Sequence, residues 1–178
     1  MAHLLEHLMF KGTSTHPVGV FDRELEARGA ETNAATWLDW THYTQSLAHT
    51  DDHLACIARL EADRMVDLLV DEANFKSELE VVLNERRMTV DDSIGGRIDE
   101  ALCAAVYGAH PYGWPTIGWE ADLRAMTLDD VRAFYRAYYA PNNATVVMAG
   151  GVPFAEALAE VVGAYGALEA GPQIVRPE

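Results

Sequence analysis

The sequence predicts an α+β fold, an antiparallel sheet with helices packed on one side. Three observations carry that expectation. A run of β-formers from Glu31 to Ala48, with Thr32, Thr36, Trp37, Trp40, Thr41, Tyr43 and Thr44, breaks at Leu38-Asp39 in the manner of a hairpin. A nearly continuous apolar stretch from Asn143 to Ala149 reads as a distant strand returning to that sheet. Elsewhere the apolar spacing is helical, and strands segregated from helices give layers of the α+β kind rather than a doubly wound sheet.

Taken in order, residues 3–10 read as a short helix and 11–17 as a loop. Val18 to Arg28 suits a second helix, with Gly29 as its left-handed stop. Thr50 or Asp51 is placed to cap a long helix with Leu54, Ile57, Ala58, Met65, Leu68 and Leu69 on its inner face. A second long helix runs from about Ala73 to Thr89, and Ile98, Leu102 and Ala105 mark a third. "HPYGWP" at 110–115 is a turn cluster. Thr127-Leu128-Asp129-Asp130 resembles a capping box and opens a helix to Tyr139, where Pro141 ends it. Pro153 to Leu168 is a last amphipathic helix, and no periodicity follows Gly171. The expectation is one domain over residues 1–170, with 171–178 as a tail or the start of a linker.

A chain of 178 residues has room for one domain with a real core. No apolar run approaches the length needed to cross a bilayer, so no membrane partner is expected. The net charge of −15 argues against nucleic acid, which calls for clustered Lys and Arg. It fits either a solvated acidic surface or an acidic chamber that prefers cationic peptides. Cys56 and Cys103 are too few for a disulfide framework and lack partners at metal-ligand spacing, so both read as buried thiols.

The chemistry begins at once, in "HLLEH", residues 3–7. His3 and His7 are spaced i, i+4, so a helix projects both imidazoles from one face, one turn apart. A zinc ion needs that spacing from two ligands on one element. Glu6 lies beside them, able to reach a metal-bound water without being a ligand, and to take its proton as a peptide carbonyl is attacked. The pattern is HxxEH, the mirror of HExxH. The same letters also fit a helix with two surface histidines. A hydrolytic zinc needs a third protein ligand, and "SELEVVLNERRM" at 77–88 offers two candidates. Glu78 and Glu85 are two turns apart and share a face with Val82, while Glu80 is turned away. An exposed charged helix pairing with Arg86 and Arg87 is the plainer alternative. His16, His42, His49, His53 and His110 fit no ligand pattern and read as structural or exposed.

"AHLLEHLMFKGT" followed by "ELEVVLNERRM" resembles the zinc signature of the pitrilysin/insulinase family of metallopeptidases. In that family a ligand glutamate follows the second histidine at long range. Here 77 residues separate His7 from Glu85, at the upper edge of the family's spacing. The resemblance implies that His3, His7 and Glu85 bind one zinc ion and that Glu6 is the general base. It makes Glu78 a carboxylate behind the ligands that orients the site. "ETNAATWLDWTHYT" resembles the family's N-A-x-T strand, whose open edge takes a peptide as an added strand, which places Asn33, Ala34 and Ala35 against the substrate. The stretch from "HPYGWP" to "VVMAGG" also follows the family pattern, so the similarity covers nearly the whole chain. It implies a half-domain of the pitrilysin/mitochondrial processing peptidase type.

Two departures matter. Family members carry strands ahead of the HxxEH helix that complete the sheet, so the first strands are expected to be missing here, through a mis-chosen start, a fragment, or reliance on a partner. A ligand in a fraying first turn is expected to bind zinc less tightly than in a version extended upstream. Family enzymes also add a second, similar domain with an arginine and a tyrosine that grip the substrate, and nothing after Pro153 supplies them. In some bacterial members the halves are separate chains that pair. The expected partners are therefore peptide substrates and a second homologous domain or subunit. The expected function is a zinc-dependent endopeptidase domain acting on unfolded peptides. The alternative is a non-catalytic or incomplete subunit that binds zinc but needs a partner chain. The compartment is left between cytoplasm and periplasm of a bacterium, with any signal upstream of Met1.

Overall fold

Leu4, Leu5 and Leu8 fall on one side of a helical turn, and all three are fully buried in α1 (Ala2–Leu8). Each such burial is worth about 1.5–3 kcal/mol, enough to hold a helix too short to persist alone. The structure is a computed structural model that describes residues 1–50 and 52–174. After α1 come α2 (Val20–Glu26), β1 (Glu31–Thr36), β2 (Thr41–Ser46), α3 (His53–Asp67) and α4 (Glu72–Arg86). Then follow α5 (Ile94–Tyr107), α6 (Glu120–Ala125), α7 (Leu128–Tyr138) and α8 (Phe154–Tyr165). The strands form a two-stranded sheet, closed at the turn by Trp37 N–H donating to Trp40 O at 2.8 Å. The expected fold class holds: an antiparallel sheet in a helix-rich chain.

The chain divides into two compact units. The first holds Met1–Leu8, Ala34–His42 and Val70–Val131. Here α1 lies in contact with α4, whose Phe75, Val82 and Leu83 are buried. Asp71 caps α4 by accepting from Asn74 N–H at 2.8 Å. At its other end α4 gives way to a π-helical turn, Arg87–Asp91. The Arg86 guanidinium, almost wholly buried, fastens this end by donating to Glu100 at 2.7 and 3.0 Å and to Gly118 O at 2.8 Å. Gly96, in the first turn of α5, sits so close to the π turn that a Cβ there would meet Thr89 O at 2.1 Å. Thr127 and Asp130 form the expected reciprocal cap of α7, at 2.9 and 3.2 Å.

The second unit holds Met9–Asn33, Tyr43–Leu69 and the chain from Arg132 onward. Gly29 ends α2 with φ of +69°, a conformation that costs glycine little, and Ala30 N–H returns to Leu25 O at 3.0 Å. Phe21 and Leu25 of α2 pack with Cys56 and Leu60 of α3. Arg64 is buried, its guanidinium lying 4.4–5.4 Å from the ring centres of Tyr43, Phe21 and Phe10 and paired with Glu61. Burial pushes the Glu61 carboxyl up, against the pull of Arg64. Tyr135 donates to Arg64 O and accepts from Leu68 N–H, and burial drives its phenol far above the ordinary value. The loop 12–16 is tied to α3 through Asp63, which receives Thr13 at 2.5 Å, Thr15 at 3.0 Å and the His16 ring at 2.8 Å.

Several expectations are corrected. Residues 144–149 form no strand: among the described residues the sheet is two-stranded, a strand needs a neighbour to satisfy its backbone, and Val147 lies exposed. At the start of α3, Asp52 occupies the N-cap without its side chain capping the helix, and its carboxylate instead accepts the Thr50 hydroxyl; Asp51 lies outside the described residues. The buried face of α3 is Cys56, Ala58, Leu60, Ala62 and Arg64, whereas Leu69 lies beyond the helix and is exposed. The apolar stripe Ile98, Leu102, Ala105 does sit on a helix but faces solvent. Cys56 is a buried thiol and Cys103 is half-buried. Of the expected tail, residues 175–178 lie outside the described residues. No described helix is long and apolar enough to cross a membrane.

Candidate metal centre

Within the first unit, α1 and α4 bring together residues 78 positions apart and more. His3 and His7 stand one turn apart on α1, their ring centres 4.8 Å from each other and their planes at 75°. Glu85, in the last turn of α4, reaches both. Its Oε2 lies 3.7 Å from His3 Nε2 and 3.5 Å from His7 Nε2. Among the described residues this is the one group of three His, Cys, Asp or Glu side chains whose ligand atoms all lie within 4.8 Å of one another.

Two imidazoles and a carboxylate are the donor set of a hydrolytic zinc site. Bonds of about 2.0–2.1 Å arranged tetrahedrally put ligand atoms roughly 3.3–3.4 Å apart, close to the two spacings to Glu85. The donor chemistry and the spacing therefore fit the ion. Burial is the largest influence on His3 and holds its pKa below the ordinary value. Glu85 and Glu6 pull the other way, while His7 and the terminal ammonium add to the depression. The sign favours a neutral imidazole near neutral pH, the form that carries a lone pair for a metal.

Glu78, two turns before Glu85, is buried, and its Oε2 lies 3.4 Å from His7 Nδ1, the ring nitrogen away from the cluster. A carboxylate there favours a proton on Nδ1 and leaves Nε2 as the donor to a metal. Glu80 is exposed, as the helical spacing requires. Glu6 is buried on α1, and its Oε2 accepts from Thr36 Oγ1 at 2.5 Å. Thr36 Oγ1 in turn lies 3.0 Å from Thr41 Oγ1 across the hairpin.

Sequence reasoning missed both threonines. Their signal was present: a threonine ending one strand and another opening the next face each other across a tight turn. Of the residues expected against a peptide, Asn33 is exposed and Ala34 and Ala35 are half-buried on β1, just before Thr36. The remaining histidines lie apart from the cluster's ligand set. His16 pairs with Asp63, His42 stacks on Trp40, His49 lies 3.3 Å from Glu156, His53 Nδ1 bonds Ala48 O, and His110 caps the turn at Pro111.

Comparison with known proteins adds a second line of observation. The family model described as insulinase (peptidase family M16) matches residues 1–119, and one described as peptidase M16 inactive domain matches residues 125–178. Zinc protease PqqE of Helicobacter pylori is 38% identical over 154 residues, covering 85% of this chain and 34% of that protein. The uncharacterized zinc protease YmxG of Bacillus subtilis is 29% identical over 180 residues, covering 100% of this chain and 43% of that one. A protease crystal structure from Helicobacter pylori superposes with a TM-score of 0.93 at 32% identity, covering 99% of this chain and 42% of that one. The first half of the periplasmic protease PqqL from Escherichia coli gives 0.85 at 24% identity, a likeness of fold alone, over 99% of this chain and 39% of that one. The chain thus spans roughly a third to two fifths of the length of the curated relatives it matches.

Proposed function

The chain belongs to the insulinase family (peptidase family M16), and on that premise we propose that it is the zinc-bearing domain of an endopeptidase acting on unfolded peptides. The observation that carries this reading is the convergence of His3 Nε2, His7 Nε2 and Glu85 Oε2 from α1 and α4. These three side chains hold the ion, one per chain. Zinc bound there supplies a Lewis acid that brings the pKa of water toward neutrality. Glu78 steadies the His7 ring from behind. Glu6 is the general base: it receives the proton of the attacking water and hands it to the leaving amine. The peptide lies along β1 as an added strand, past Asn33, Ala34 and Ala35, which fixes the register of the scissile bond.

Glu6→Gln tests the reading. The variant keeps its zinc, because Glu6 is not a ligand, and loses cleavage of a quenched fluorescent peptide. Cleavage that survives the change removes Glu6 from the role.

A second reading rests on the match of residues 125–178 to an inactive-domain model and on the chain's share of its relatives' length. In it, the same cluster binds zinc but hydrolysis needs a second homologous domain or subunit to close over the substrate. Mixing the chain with a second homologous domain separates the two: a large gain in rate supports the second, and an unchanged rate the first.

A further inference from the structure

A buried carboxylate that must move a proton needs its orientation fixed, and α1 alone does not fix Glu6. Position 6 lies on the same short helix as two of the clustered residues, and its carboxyl torsion is soft and roughly two-fold. The fixing group comes from 30 positions away. Thr36 Oγ1 lies 2.5 Å from Glu6 Oε2, and Thr41 Oγ1 lies 3.0 Å from Thr36 Oγ1.

Proton counting sets the direction of this chain. A threonine hydroxyl has one proton and accepts through its lone pairs. An ionised Glu6 only accepts, so Thr36 must spend its proton on Oε2. Thr36 then has none left for Thr41, and the Thr41 hydroxyl donates to Thr36. Each bond polarises the next, so the Thr36 bond to the carboxylate is strengthened by the one behind it. The two threonines are held opposite each other by the hairpin turn, through Trp37 N–H to Trp40 O at 2.8 Å.

We propose that Thr36, backed by Thr41, is a positioning residue that locks the Glu6 carboxylate by occupying Oε2, so that Oε1 is the oxygen that takes up the proton. The inference rests on the reading of Glu6 as the general base. A hydrogen bond to a charged group carries more than one between neutral groups, and its loss here is expected to lower kcat roughly ten- to a hundredfold.

The test compares Thr36→Val, Thr36→Ser and Thr41→Val in the full chain. Thr36→Val keeps the shape of the side chain and removes the hydroxyl. It is expected to lower kcat with KM little changed, to keep the wild-type zinc affinity by chelator competition, and to melt as a cooperative unit. Thr36→Ser restores kcat, and Thr41→Val gives a smaller loss in the same direction. Crystal structures of the same variants give a readout independent of cleavage. Glu6 is expected in one carboxylate orientation in the wild type and in Thr36→Ser, and in a rotated or split one in Thr36→Val. An unmoved Glu6 in Thr36→Val overturns the inference whatever the assay shows. A kcat that survives Thr36→Val, or a serine variant that fails to restore it, also overturns it. A wild-type chain that binds zinc yet cleaves nothing counts against the peptidase reading instead, and the orientation of Glu6 still decides the role of Thr36.

Discussion

Glu78 approaches His7 on the ring nitrogen opposite Glu85, and the role proposed for it is to decide which nitrogen carries the proton. Glu78→Gln keeps the volume and removes the charge. It is expected to weaken zinc binding about ten- to a hundredfold while the chain stays folded, measured by competition with a chelating dye. An unchanged affinity would make Glu78 a packing residue only. Asp63 illustrates a different use of a carboxylate. Burial, the largest single influence, pushes its pKa up, but bonds from Thr13, His16 and Thr15 together hold it below the ordinary value near 3.8. A depressed carboxyl stabilises the folded state at pH above the ordinary value, and that contribution is lost as pH falls through it toward the folded one. Asp63→Asn is therefore expected to be less stable than the wild type at pH 6, with the gap narrowing below about pH 4 in urea titrations. At this scale much was legible. Two histidines one turn apart with a glutamate between them need only helix geometry to interpret. The choice between Glu78 and Glu85 was not legible from spacing, because both share one face, and only the register of α4 against α1 separates the residue that meets Nε2 from the one that meets Nδ1.

Glu85 is useful only if α4 ends where it does, and two features of the neighbouring elements hold that end. Arg86 is clamped between Glu100 and the Gly118 carbonyl, and the π turn behind it is pressed by α5 at Gly96. Gly96→Ala forces a Cβ against the Thr89 carbonyl oxygen, which is backbone and cannot swing aside. The expected loss is about 2–3 kcal/mol, roughly 4–12 °C in Tm for a chain of this size, together with weaker zinc binding as Glu85 shifts. A variant with unchanged Tm would place no constraint on that contact. Periodicity and turn chemistry located the helices other than α6, the hairpin and the Thr127–Asp130 cap, because these depend on neighbours in sequence. The segment 143–149 failed as a strand because apolar composition is necessary for a buried strand but a pairing partner is too. The buried Arg64 went unforeseen for a related reason: its aromatic surround of Phe10, Phe21 and Tyr43 is gathered from three separate segments.

For the whole molecule the acidic balance has a measurable consequence. A net charge of −15 is expected to draw cationic peptides toward the protein, with the attraction screened over about 10 Å at 0.1 M salt. A lysine-rich peptide is expected to be cleaved several-fold faster than its glutamate counterpart at low ionic strength, with the difference closing as salt is added. Rates indifferent to both would make the charge a matter of solubility alone. Composition argued against a nucleic-acid role and left the substrate class open, since charge is a property of the surface and the chemistry belongs to a few side chains.

Zinc titration of the wild type beside Glu85→Ala, His7→Ala and Glu6→Gln, read by chelator competition, tests the metal centre most directly. One zinc ion per chain is expected in the wild type and in Glu6→Gln, with affinity falling at least a hundredfold in Glu85→Ala and His7→Ala. Wild-type affinity retained without Glu85 would contradict the cluster as the place where the ion is held.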